Sequence, residues 1–133
     1  MKVDAIALTR DVDAQWKSVN VAEVNGSKVR VRVMQDVTAR WHYHGTSHEL
    51  FYVIAGRVFI DFDSSTEELT AGQLLSVPPM TRHRARATQR AVLLVIDSRT
   101  AIPIPSPQRP TAPPNQRSVR LNAVEAIANP QQE

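Results

Sequence analysis

Cysteine is absent from this 133-residue sequence. Without cysteine no disulfide framework can form, and a bound metal ion must be held by nitrogen and oxygen atoms instead of thiolate sulfur. The absence of disulfides fits a reducing compartment, and we expect a cytoplasmic protein. A chain of this length is predicted to form one main globular domain with its own hydrophobic core.

Two further absences concern membranes and nucleic acids. The N-terminal apolar stretch is interrupted by Asp4 and followed by Arg10 and Asp11, which predicts neither a signal peptide nor a membrane span. The net charge is only +3, from 16 basic and 13 acidic residues spread along the chain, so no nucleic-acid partner is expected. Basic residues alternate at 28–32 and 82–86, and we interpret both stretches as solvated strand edges rather than phosphate-binding tracks.

What the sequence does contain is a pattern with a period of two, which is typical of β-strands. Asn25-Gly26 favours a tight hairpin turn between predicted strands at 16–24 and 28–35. Turn residues separate further extended runs at 38–44, 49–54, 57–63, 73–77, 84–88 and 91–97. Many short strands with frequent turns predict an all-β sandwich or barrel.

All four histidines lie near two short segments: His42, His44 and His48 in one, and His83 in the other. If the first segment is a strand, His42 and His44 share a face, with Cα atoms roughly 6.6 Å apart, and can converge on one ion. On a helix the same pair would point in nearly opposite directions. The spacing therefore indicates a metal site only if the segment is extended.

The first histidine segment resembles a motif of the cupins, G-x5-H-x-H-x3,4-E-x6-G. The matching residues are His42, His44, Glu49 and Gly56, while Asp36 stands at the position of the first glycine.

The second segment resembles the other cupin motif, G-x5-P-x-G-x2-H-x3-N. Gly72, Pro78 and His83 match, whereas Met80 replaces the second glycine and Ala87 replaces the asparagine. The two motifs together place the resemblance over roughly residues 28–98. The departures fall on turn positions and on a residue behind the ligands, and they leave the ligand positions intact.

The resemblance implies a double-stranded β-helix, a jelly-roll barrel with one metal ion inside it. The implied ligands are His42, His44, Glu49 and His83, with Glu49 also a candidate proton acceptor. Iron, manganese, nickel and zinc all remain open as the ion. Strand parity directs His48 away from this face, so we interpret it as an exposed loop histidine that becomes a ligand only if the loop shifts by one residue.

Strand parity also predicts the lining of the pocket. The candidates are Arg40, Phe51, Val53, Val58, Ile60, Phe62, Leu75, Val77, Ala85 and Ala87. A mostly apolar lining beside one ion suits a small oxygenated organic molecule. Arg40 is expected either to pair with a substrate carboxylate or to form a salt bridge at the barrel mouth.

The composition changes near residue 100, since seven of the nine prolines lie in residues 101–133. We expect a barrel domain over 1–100 and a proline-rich extension over 101–133, with an extended arm and a short helix at 121–127. The arm either docks on the barrel or forms a solvated linker. Trp41 and Tyr43 are predicted on the outer face, and covering that apolar surface suggests a homodimer.

Three functions fit the sequence. The first is a metal-dependent enzyme on a small oxygenated metabolite, either a dioxygenase or an isomerase or lyase. The second is a non-catalytic module that binds or senses a small molecule around a structural metal. The third, which ranks last, is an interaction protein that uses its basic stretches and tail. The fold alone does not decide among these functions.

Overall fold

The computed structural model describes residues 1–108, so the helix predicted at 121–127 lies outside the described residues. The described chain begins with a short helix, α1 (Ala5–Thr9). The strands that follow are β1 (Trp16–Val24), β2 (Ser27–Met34), β3 (Val37–Thr38), β4 (His42–His44), β5 (Glu49–Ala55), β6 (Arg57–Asp61), β7 (Thr66–Thr70), β8 (Leu74–Val77), β9 (Arg84–Ala87), β10 (Ala91–Ser98) and β11 (Pro103–Pro105).

The strands form antiparallel sheets in the arrangement of a jelly roll, which confirms the predicted all-β fold. One sheet has the order β1-β2-β10-β5-β8, a second has the order β3-β9-β6-β7, and β11 pairs with β4. Strands far apart in sequence are neighbours: β2 pairs with β10, and β3 pairs with β9. The inner faces of the sheets enclose a core that includes Phe51, Val53, Ile60 and Leu93, all at most 1% exposed.

The predicted hairpin between β1 and β2 is confirmed. Asn25 and Gly26 have φ angles of 50° and 79°, the positive values that a two-residue turn of this kind requires. Val24 and Ser27 pair directly across the turn. The local sequence therefore sets the register of the first two strands.

Several boundaries differ from the sequence predictions. The strand expected at 38–44 is interrupted, because residues 39–41 separate β3 from β4. Strand β7 and helix α1 were not predicted. In β7 the exposed residues Glu67 and Glu68 face solvent from an edge strand, so the segment lacks the apolar alternation that identifies a half-buried strand.

The first part of the proline-rich extension docks on the barrel. Proline is tolerated in edge strands, and β11 pairs with β4 through Ile104 opposite Tyr43. The backbone N–H of Trp41 donates to Gln108 Oε1 (3.0 Å), and the N–H of Ser106 donates to the Trp41 carbonyl (3.3 Å). The docked alternative therefore holds for residues 101–108.

Trp41, which was predicted on the outer apolar face of the barrel, is buried by neighbouring side chains. Trp41 is 2% exposed, because the guanidinium groups of Arg82 and Arg84 lie 4.0 and 4.7 Å from its ring centre. On the other sheet, α1 contributes Ala5 to a cluster packed against buried Val31. The homodimer stays a prediction. Within residues 1–108, no helix has the length and apolarity needed to cross a membrane.

Candidate metal centre

Four side chains with metal-binding atoms meet at one end of the barrel. His42 and His44 alternate along β4, Glu49 is the first residue of β5, and His83 immediately precedes β9. The N–H of His42 donates to the carbonyl of His83 (3.0 Å), and the N–H of His83 donates to the carbonyl of His42 (2.9 Å). This pair of backbone hydrogen bonds brings the two histidine segments together although 40 residues separate them.

The side chains converge on one carboxylate oxygen. Glu49 Oε1 lies 2.9 Å from His83 Nε2, 3.1 Å from His44 Nε2 and 3.9 Å from His42 Nε2. One potential ligand atom from each residue lies within 4.8 Å of the others. His83 is fully buried, and Glu49 and His44 are nearly so. The four residues predicted from the motifs are therefore gathered in one place, whereas His48 is exposed and outside this group.

The orientation of two imidazoles indicates that a cation belongs between them and Glu49. His42 Nδ1 lies 2.9 Å from the carbonyl oxygen of Arg40, and His83 Nδ1 lies 2.7 Å from that of Thr81. A carbonyl only accepts, so both Nδ1 atoms carry the proton that they donate. In the neutral rings, each Nε2 then directs a lone pair at Glu49, and such an approach is favourable only with a proton or a metal ion in between.

The pKa values help to distinguish a proton from a metal ion as the cation between the imidazoles and Glu49. Burial lowers the pKa of His42 below its ordinary value of 6.5, and the hydrogen bond with Glu49 offsets this incompletely. Burial also lowers the pKa of His44, but the hydrogen bond and charge of Glu49 outweigh it and raise the net value. A protonated ring is thus disfavoured at His42 near neutral pH, and a metal ion could supply the missing positive charge at this position.

Glu49 itself stays ionised. Burial acts to raise the pKa of its carboxyl, but where the three imidazoles are protonated on Nε2 their hydrogen bonds outweigh burial and hold the pKa well below its usual range. A carboxylate with so low a pKa is a good metal ligand and a weak proton acceptor near neutral pH. The donor set, three imidazole nitrogens and one carboxylate oxygen, fits a divalent transition-metal ion.

A pocket adjoins this cluster, and the prediction of its lining was right only in part. The cavity itself is small, with a volume of about 20 Å³, and it opens to solvent at its mouth. Phe51 and Ala85 line it as predicted, and Ala39 and Trp16 join them. Ala101 and Pro103 of the extension complete the wall.

The other predicted lining residues lie elsewhere. Arg40 is exposed and absent from the lining, because the chain breaks its strand geometry at 39–41 and parity with His42 is lost. The remaining seven belong to the hydrophobic core or pack against it: Val53, Val58, Ile60, Phe62, Leu75, Val77 and Ala87. Two of them still flank the cluster, since Val77 pairs across the strands with Glu49 and the ring centre of Phe62 lies 6.4 Å from that of His83.

The polar side of the pocket was not predicted. Lys28, Arg30 and Arg32 of β2 and Asp97 of β10 line it, and both arginines are only 5% exposed. The interpretation of residues 28–32 as a solvated strand edge was therefore wrong. The alternation itself was the available signal, but a period of two does not reveal which face of a strand is turned inward.

Comparison with known proteins agrees with this geometry. Residues 29–97 match the family model of the cupin domain. The chain is 35% identical over 97 residues to YdbB of Bacillus subtilis (strain 168), which covers 72% of this chain and 85% of that protein. This chain belongs to the cupin family.

Two other matches show how far the likeness extends. The cupin is 47% identical over 45 residues to "Polyketide synthase CurC" of Streptomyces cyaneus, but this covers only 34% of the cupin and 29% of that protein. The crystal structure of a cupin-2 domain protein from Shewanella frigidimarina NCIMB 400 superposes with a TM-score of 0.69 at 22% identity, over 73% of this chain and 94% of that one. The structural match supports the fold of the cupin and leaves its activity open.

Proposed function

We propose that this cupin binds one divalent transition-metal ion through His42, His44, Glu49 and His83 and uses it to bind and transform a small oxygenated organic molecule. The observation that carries the proposal is geometric: the Nδ1 atoms of His42 and His83 are held by backbone carbonyls, which turns both Nε2 atoms towards the buried carboxylate of Glu49. Such an ion supplies Lewis acidity towards oxygen-bearing molecules and, if it is iron, manganese or nickel, redox chemistry.

The chain's own residues prepare the site. The carbonyl groups of Arg40 and Thr81 fix the ring orientation of two histidines, so little reorganisation is needed when a ligand arrives. Phe51 and Ala85 supply an apolar wall that limits water near the cluster. Asp97 is a titratable pocket residue outside the ligand set, and burial raises its pKa despite the charge of Arg30. It is thus the candidate for proton transfer in an enzyme.

Metal analysis of matched variants tests the binding step. We expect close to one ion per chain in the wild type and almost none in His42→Ala. His48→Ala is the matched control, because His48 lies one residue before Glu49 yet is exposed and outside the cluster. Equal metal content in all three proteins would contradict the proposed ligands.

Reaction class is tested on the iron-reconstituted protein. Oxygen uptake with diketones, catechols or hydroxy acids would indicate a dioxygenase. Turnover of such a compound without oxygen would indicate an isomerase or lyase. The second candidate function is a non-catalytic binding or sensing module. The ion pair that already engages Asp97 with Arg30 favours it, because a paired carboxylate is less available for proton transfer. Ligand binding without turnover is its expected result.

A further inference from the structure

The cationic side of the pocket is built into the barrel next to the four-residue cluster. Along β2 the side chains of Arg30 and Arg32 alternate with Val31, which packs in a separate cluster on the opposite face. Lys28 pairs across strands with Asp97, and Asp97 pairs with Glu49. The basic residues therefore occupy the same inner face as Glu49, two strands away.

Arg30 has a donor that the described protein leaves unused. Its Nη2 donates to both carboxylate oxygens of Asp97 at 3.2 Å, which fixes the guanidinium group. Its Nε is buried and has no hydrogen-bond partner among the described residues. The side chain is only 6% exposed, so bulk water is a poor substitute. A buried N–H without an acceptor is costly, and native structures seldom keep one without a reason.

A second unused donor lines the same pocket. The indole Nε1 of Trp16 is buried and also lacks a partner in the described part of the chain. Arg32 stacks on the ring of Trp16, with its guanidinium carbon 4.2 Å from the ring centre, and donates from Nε to Ser18 Oγ at 2.8 Å. The stacking keeps a second positive charge beside the indole N–H.

The charges favour a negative ligand. Three basic and two acidic side chains line the pocket, and a divalent ion at the cluster would increase the positive excess. Two unpaired N–H donors beside excess positive charge suit an acceptor that carries negative charge, and a carboxylate is the simplest such group.

We propose that the pocket binds a small organic acid whose carboxylate accepts hydrogen bonds from Arg30 Nε and Trp16 Nε1. This inference rests on the proposed function, since a second oxygen of the same molecule would face the metal ligands. It narrows the ligand class from oxygenated molecules in general to hydroxy or oxo acids.

Calorimetric titration of metal-loaded protein with acid and amide pairs tests the proposal. The probes are lactate against lactamide and salicylate against salicylamide, each pair differing mainly in the negative charge. We expect at least one acid to bind the wild type about tenfold more tightly than its amide, the range of a charge-assisted hydrogen bond. Trp16→Phe, which removes the indole N–H, and Arg30→Lys, which keeps a positive charge near Asp97, should each reduce that ratio severalfold.

Arg57→Lys is the control, because Arg57 is exposed on the other sheet and pairs with Glu68. Metal content and melting temperature are measured for every variant, so that lost folding or lost metal is recognised. An acid preference that survives in both pocket variants would overturn the proposal, since the ion alone would then account for it. Failure of both acids to bind the wild type up to about 10 mM would also overturn it.

The two proposals fail separately. If the wild type binds none of the four candidate metals, the proposed function fails. The carboxylate site is then tested by lactate and salicylate binding to the metal-free protein. Binding that is lost in Trp16→Phe supports the site, and binding that is unchanged refutes it.

Discussion

The buried ion pair between Arg30 and Asp97 gives the sharpest stability prediction. Both oxygens of Asp97 lie 3.2 Å from one guanidinium nitrogen, and the side chains are 6% and 2% exposed. Removal of one partner from such a pair typically costs 3–5 kcal/mol, because the other charge stays buried and unpaired. Lys28 stands opposite Asp97 across the strands and limits the loss. For Arg30→Met we therefore expect about 3 kcal/mol, the low end of that range.

The pH dependence of this loss can be derived from the pKa of Asp97. Burial raises that pKa above its ordinary value of 3.8, and loss of Arg30 removes the charge that opposes the rise. A carboxyl group with a folded-state pKa above the unfolded value loses stability as the pH rises through the folded pKa. The destabilisation by Arg30→Met should thus be larger at about pH 8 than at about pH 5.

Urea unfolding of the metal-free proteins, followed by tryptophan fluorescence, measures these differences. The double variant Arg30→Met with Asp97→Leu is the control, and it should return to within about 1 kcal/mol of the wild type because no charge is left unpaired. A loss below about 1 kcal/mol for Arg30→Met alone would mean that the pair is solvated, and would refute the reasoning.

Three other predictions follow from single sites. Gly56→Ala should cost roughly 2–4 kcal/mol in urea unfolding, since Gly56 has a φ of 85° and an added Cβ would lie 2.4 Å from the Arg90 carbonyl oxygen. Gly72→Ala, with a φ of 88° and open space, should cost only about 1 kcal/mol; equal losses would contradict the steric argument. Burial acts to raise the pKa of Asp61, but its arginine partners help to hold that pKa below 3.8. The carboxylate therefore stabilises the fold at higher pH, and this stabilisation is lost as the pH falls through the lowered pKa. Asp61→Asn should make the free energy of unfolding less dependent on pH in the acid range. As the pH is lowered, zinc affinity measured by competition with a chelator should begin to fall while the pH is still above 6.5. The reason is that the pKa of His44 is raised, so protons already compete with zinc for this imidazole there. A decline that begins only below pH 6.5 would contradict this prediction.

The ligand cluster was the part most accessible from sequence. An imidazole at every second residue of a strand defines a face, and the spacing to Glu49 and His83 matches two motifs of one family. The pocket lining was harder, because parity assigns a face and not a depth. Val53 shares its face with Glu49 and Phe51, yet each two-residue step moves about 6.6 Å along the strand, which carries Val53 from the site into the core.

The basic residues of β2 illustrate a second difficulty. Valines alternate with Lys28, Arg30 and Arg32, and a half-buried strand ordinarily turns its apolar face to the core. Here Val31 is buried on the outer face in a cluster that includes Ala5 of α1, while both arginines are buried inside. The cover comes from a distant segment, so local sequence does not reveal it. Arg40 was misplaced for a related reason, since three irregular residues interrupt its strand.

The reciprocal backbone hydrogen bonds between His42 and His83 have a consequence for redesign. Main-chain atoms, which every non-proline residue possesses, hold these two positions side by side, so their spacing does not depend on the imidazoles themselves. Exchange of either ring for aspartate or cysteine should then alter the hardness of the donor set while the frame keeps its shape. If the proposed metal binding holds, the effect of each of these two ligands on metal preference can be measured separately in such variants.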